Sequence, residues 1–137
     1  VDNTQNTVIS SAQSFANGAF TQANSAYAAV NATNIIANTL TTSTTTANQV
    51  VFSYSSTTYR TSKILAQITS GTSYQATEIL ITHNGTNTYM TQYGDIYTSA
   101  AALGTFDSAI TGGSLQLLFT PVNAATTVKT STSLIPV

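Results

Sequence analysis

One histidine, four carboxylates, three cations and seven tyrosines are the side chains of this 137-residue chain that could do chemistry. His83, with Asp95 and one of the many serines, has the residue types of a hydrolase triad, in which imidazole takes a hydroxyl proton and a carboxylate orients the ring. No G-x-S-x-G elbow accompanies it, and it stands beside Asn84-Gly85, so it reads as a surface or turn residue. Glycoside cleavage would need two carboxylates at a defined separation, for which the C-terminal part offers Asp95 and Asp107. With one His and no Cys, a site of nitrogen and sulfur ligands cannot be built. A cation would have to rest on Asp95, Asp107 and carbonyl oxygens. The expectation is therefore no catalytic residues, no metal and no cofactor, hence no enzyme.

The remaining charges suggest structure. Lys63 and Glu78 fall on adjacent expected strands, and folding about Gly71-Thr72 places Lys63 opposite Leu80, within diagonal reach of Glu78. They read as a structural ion pair. Arg60, beside Tyr59, can stack or pair with Asp95 or Asp107. Tyrosine is the most suggestive type, because a flat apolar ring with a hydroxyl suits both sugar rings and protein interfaces. Six of the seven, from Tyr54 to Tyr97, lie in the C-terminal part. Asn84, Asn87 and Tyr89, with Tyr93 and Tyr97, are the candidate ligand contacts, expected at distal loops.

Composition narrows the class. Charged residues are 5% of the chain, against about 25% in an ordinary globular protein, and the formal net charge is −1. Nucleic-acid binding needs a concentrated basic surface and is excluded. A surface of Thr, Ser, Asn and Gln leaves little for salt to screen. No run of about 18 apolar residues is present, so no helix spans a membrane. The chain begins "VDNTQ", without Met or an apolar leader, and reads as a piece of a longer polypeptide or a processed product.

The elements that must position these side chains divide by period. Over residues 1–40, Ile9, Ala12, Ala16, Ala19, Ala23, Ala26, Val30, Thr33, Ala37 and Leu40 recur at spacings of three and four. That is the seam of a supercoiled helix. Asn17, Asn24, Asn31 and Asn38 share one heptad position, and Phe20 and Tyr27 another. Ala16, Ala19, Ala23, Ala26 and Val30 are expected to face the axis of an α-helical coiled-coil stalk in a homo-oligomer. The Thr-rich residues 41–49 disfavour helix and read as an extended linker.

From residue 50 to 137 the period is two. "VVFSY", "YRTSKILAQITSG", "SYQATEILITHNG", "NTYMTQYGDIYTS", "GSLQLLFTPV" and "TVKTSTSLI" read as strands rich in Thr, Tyr, Ile and Val. Gly71-Thr72, Asn84-Gly85 and Gly112-Gly113 separate them, Asn84-Gly85 having the signature of a type I′ turn. Residues 98–111 read as a loop and a short strand. The fold class is mainly β with an N-terminal helix: a meander curling into an antiparallel β-sandwich or barrel head of six to eight strands.

The stalk motif "ANGAFTQANSAYAAVN" resembles Ala-Asn-aromatic heptads in structural, fibre- or spike-like virion proteins of tailed phages of marine cyanobacteria and related bacteria. In "YRTSKILAQIT", "YQATEILITHNGTNTYMTQYG", "LGTFDSAITGGSLQLLFTP" and "TTVK" the head resembles a C-terminal β-domain of such proteins. The resemblance implies a virion-surface fibre or spike, trimeric with itself, joined to other virion proteins at its N-terminal end. Its head would attach to the host, to surface glycans. A capsid decoration protein and a subunit of a bacterial surface filament or adhesin are the alternatives.

Overall fold

The computed structural model describes residues 2–31 and 35–137, with side chains for residues 2–25 and 35–137. The chain divides into two compact units between residues 33 and 34.

The first unit is helix α1, Asn3–Asn31. Asp2 caps it, its carboxylate accepting the Thr4 amide at 3.2 Å, which satisfies one donor of the open first turn. Thr7, Ser11 and Thr21 donate their hydroxyls to carbonyls one turn back, each at 2.9 Å. Every described side chain of the helix is exposed, Phe15 and Phe20 included. Of the expected seam, Ala16, Ala19 and Ala23 lie on it as exposed residues. The side chains of Ala26 and Val30, and all of Thr33, lie outside the described residues.

The helix is shorter than the spacing predicted. Ala37, Asn38 and Leu40 belong instead to strand β1, Ile35–Thr41, so the helical segment does not reach residue 40. The three-four rhythm is ambiguous in a sequence this rich in Ala, Thr and Asn. Ile35, Ile36, Thr39 and Thr41 are β-branched and favour the extended chain, and the edge of a later strand accepts them. The linker reading is corrected with it. Thr42 is buried, its amide donating to the Thr126 carbonyl at 2.8 Å and its hydroxyl to the Ala124 carbonyl at 2.6 Å. Residues 42–48 are thus a pinned crossing inside the β-unit, which begins before residue 50.

The other strands are β2 (Gln49–Ser55), β3 (Tyr59–Ser70), β4 (Ser73–His83), β5 (Thr88–Tyr97), β6 (Gly104–Thr111), β7 (Ser114–Pro121) and β8 (Thr127–Pro136). They form two antiparallel sheets, ordered β1-β8-β3-β4-β5 and β2-β7-β6. Only β3-β4-β5 and β6-β7 run as meanders. The connections after β1, β2, β5 and β7 change sheet, so adjacency in sequence is not adjacency in the ladder.

Alternation builds the core. Ile64, Ala66 and Ile68 of β3 and Ile79 and Ile81 of β4 are fully buried on one face of the larger sheet. They join Phe52, Tyr54, Phe106, Leu115, Leu117 and Phe119 of the smaller sheet in one cluster. Each fully buried side chain of this size contributes about 1.5–3 kcal/mol. Tyr54 keeps its hydroxyl satisfied there by donating to Ser62 at 3.0 Å.

The turns follow their residues, with one exception. Gly112 and Gly113 have φ of 57° and 78° and close a two-residue connection between paired Thr111 and Ser114, the type I′ geometry. Asn84-Gly85 does not. Asn48 is the only described non-glycine residue with positive φ, so Asn84 cannot be the first left-handed residue of such a turn. Its carboxamide instead accepts the amides of Thr86 and Asn87 at 3.0 and 2.8 Å, closing a four-residue loop.

Candidate ligand-binding face

Inward burial of the even residues of β3 and the odd residues of β4 forces their neighbours outward. Lys63, Leu65 and Gln67 of β3 therefore share the outer face of the larger sheet with Tyr74, Ala76, Glu78 and Leu80 of β4. Edge strand β5 adds Tyr89, Tyr93 and Ile96, which pair with Thr82, Glu78 and Ala76. Leu65, Tyr74, Leu80, Tyr89, Tyr93 and Ile96 are all exposed. Such a concentration of large apolar side chains on one sheet face marks an interaction surface.

Charge enters this face at one place. Lys63 Nζ lies 3.4 Å from Glu78 Oε2, with Lys63 in register with Leu80. Both groups are solvated, so the pair contributes little stability. Glu78 stands opposite Tyr93 in the β4–β5 register, and its carboxylate beside the hydroxyl raises the phenol above its ordinary value, helped by lost solvation. Tyr93 is thereby tied into a Lys63–Glu78–Tyr93 group at the middle of the sheet.

The five candidate contacts do not converge on one loop. Asn84, Asn87 and Tyr89 gather at one end of β5, where Asn84 Nδ2 donates to the Tyr89 hydroxyl at 3.4 Å. Tyr97 stands eight residues further along, about 25 Å away at strand rise. Tyr89 and Tyr93 thus lie on the outer face of β5, and Tyr97 at its end in register with buried Gln75, none of them in a distal loop. A shallow groove of about 270 Å³ lies beside Tyr89, lined also by Thr61, Leu80, Thr82 and Thr91.

A larger groove of about 350 Å³ lies at the Tyr97 end, between Tyr74 and Tyr97, with Gln67, Gln75, Ala76, Ile96 and Thr98 completing its lining. A β-bulge shapes it. The β4–β5 register shifts between Ala76 and Glu78, where Gly94 takes a φ of 66° that another residue would adopt only under strain. Behind the groove Gln75 is buried. Its Nε2 donates to Asp95 Oδ1 at 3.2 Å, and its Oε1 accepts the Leu103 amide at 2.7 Å. Gln67, Tyr74 and Ile96 were not among the candidates. The signal for Tyr74 was available: it continues the outward line of Glu78 and Ala76 on β4.

The acid and base candidates are otherwise engaged. Asp95 accepts Gln92 Nε2 at 2.8 and 2.9 Å in addition to Gln75. Asp107 accepts the Ser108 amide at 2.7 Å. Arg60 reaches neither acid; Nη1 donates to the His83 carbonyl at 3.2 Å. His83 is not on the surface but buried. Its Nδ1 accepts the Gly85 amide at 3.1 Å, so Nε2 carries the proton and donates to the Tyr59 carbonyl at 2.7 Å. The imidazole is a clamp between a turn and the start of β3. No helix among the described residues is long and apolar enough to cross a membrane.

No family model matches the chain, and no curated protein matches it. Among solved structures it is similar to the crystal structure of the Acinetobacter phage vB_ApiP_P1 tailspike protein, at 18% identity and a TM-score of 0.47. The match covers 74% of this chain and 22% of that one, so this chain spans about a fifth of the tailspike's length.

Proposed function

We propose that this chain is a non-enzymatic appendage protein of a tailed-phage virion, a homotrimer whose helix is a coiled-coil stalk. The β-unit, an antiparallel β-sandwich, is displayed for attachment to neutral glycans on the host surface. The observation that carries the reading is the 29-residue helix whose every described side chain is exposed. An Ala- and Asn-rich helix with a Gly at position 18 is marginal alone in water. Other copies of the same seam supply what it lacks, and the virion resemblance of "ANGAFTQANSAYAAVN" supports a stalk.

The neutral partner follows from the outer face, where Lys63 and Glu78 are already paired and tyrosines dominate. The engaged carboxylates of Asp95 and Asp107 favour attachment without cleavage. The test is adsorption of the labelled full chain to marine cyanobacterial cells at low and high ionic strength. Adsorption that persists in high salt supports the reading, since charge-steered association weakens with salt. Absent adsorption, with the chain mapped to every capsomer of a virion, would select the decoration reading.

A further inference from the structure

We infer that the groove between Tyr74 and Tyr97 is a sugar-binding site, and that it takes one neutral hexopyranose ring of a surface glycan. The inference rests on the attachment reading for the origin of that glycan. A pyranose is amphipathic, with a flat face of C–H groups and a rim of hydroxyls. The groove has the matching chemistry. Ile96 is 70% exposed and sits beside Ala76, giving an apolar floor on which a C–H face can rest. Tyr74 and Tyr97 flank it, each about half exposed. Their hydroxyls and the Gln67 carboxamide make no hydrogen bond among the described residues, so donors and acceptors remain for a rim of hydroxyls.

The site is held ready. The Thr98 amide donates to the Tyr74 carbonyl at 2.9 Å, and the Tyr74 amide donates to Thr98 Oγ1 at 3.0 Å. Gln75 locks the strand behind, and the bulge at Gly94 fixes the turn of β5 toward Ile96 and Tyr97. Little ordering is then left to oppose binding. The volume of about 350 Å³ is at the small end for ligand sites, which suits one ring.

Charge decides the class of sugar. No Lys, Arg, Asp or Glu lines the groove. Lys63 is engaged by Glu78, and Lys129 stands on β8, opposite Gln67 in the β3–β8 register and on the side of β3 away from Ala76. Asp95, adjacent to Ile96 in the chain, would repel an acidic sugar.

Saturation-transfer NMR on the full chain tests this, with methyl glycosides of glucose, galactose and mannose as neutral probes and methyl glucuronide as the charged one. Transfer to the ring protons of at least one neutral glycoside is expected. Tyr74→Ala and Tyr97→Ala should each weaken it roughly tenfold, and Val50→Ala, at an exposed position on β2 of the other sheet, should leave it unchanged. Gln67→Ala, at an exposed position, should weaken it without altering the melting curve. No transfer to any neutral glycoside, transfer that survives all three groove substitutions, or binding of glucuronide alone would each overturn the inference. Groove variants that bind glycoside normally while the chain still adsorbs to cells would sink the groove and leave attachment standing. Glycoside bound in the groove by a chain that adsorbs to no cell would do the reverse.

Discussion

Gln75 ties Asp95 to Leu103: one end of its buried carboxamide donates to the carboxylate, and the other accepts the Leu103 amide. The link joins edge strand β5 to the loop before β6, the point where the chain leaves the larger sheet for the smaller. Gln75→Leu keeps the bulk and removes both bonds. The Leu103 amide is then buried without an acceptor, at a cost of about 1–3 kcal/mol. A circular-dichroism melt reads this as a lower midpoint, and an unchanged midpoint would show that the link contributes nothing.

Two tyrosines make stability depend on alkaline pH. Burial raises Tyr54 above the ordinary phenol value of 10.0, opposed by its bond to Ser62, and Glu78 raises Tyr93 above the same value. In each case the folded state favours the neutral phenol. The contribution is fully present below 10.0 and is lost as pH rises through the elevated folded values. Phenolate absorbance should therefore show two groups ionising above 10.0, with unfolding promoted as they do so. Tyr93→Phe should remove one late group, and a titration identical to wild type would contradict the Glu78 contact.

Strand β1 gives a truncation test. A fragment of residues 34–137 retains all seven paired positions between Ile35–Thr41 and β8. A fragment of residues 42–137 loses them and bares the edge of β8, an invitation to strand addition. The longer fragment should melt as one cooperative unit, and the shorter should melt lower and self-associate. Equal melting of the two, by calorimetry and light scattering, would mean that β1 adds no stability.

How far the sequence could be read follows from which forces are local. In β3 the alternation of Ile64, Ala66 and Ile68 with Lys63, Leu65 and Gln67 shows both the strand and its buried face. In β1 it does not, because Ala37 and Leu40 satisfy a helical spacing as well as a strand, and only pairing with β8 decides. The bulge at Gly94 is hidden for a similar reason: one extra residue in β5 shifts the outward line from Tyr93 to Ile96. His83 looked like a turn residue, and its burial depends on the Tyr59 carbonyl, 24 residues away in sequence. For the same reason the groove partners Gln67, Tyr74 and Tyr97 come together only once three strands are in register.

The stalk is the claim on which the rest depends. Sedimentation equilibrium of the full chain, with a monomer mass of 14.3 kDa, tests it most directly. Three times that mass is the predicted result, and Ala23→Glu, which brings like charges together in a dry seam, should reduce it to the monomer. A wild-type chain that sediments as a monomer at every concentration would contradict the account.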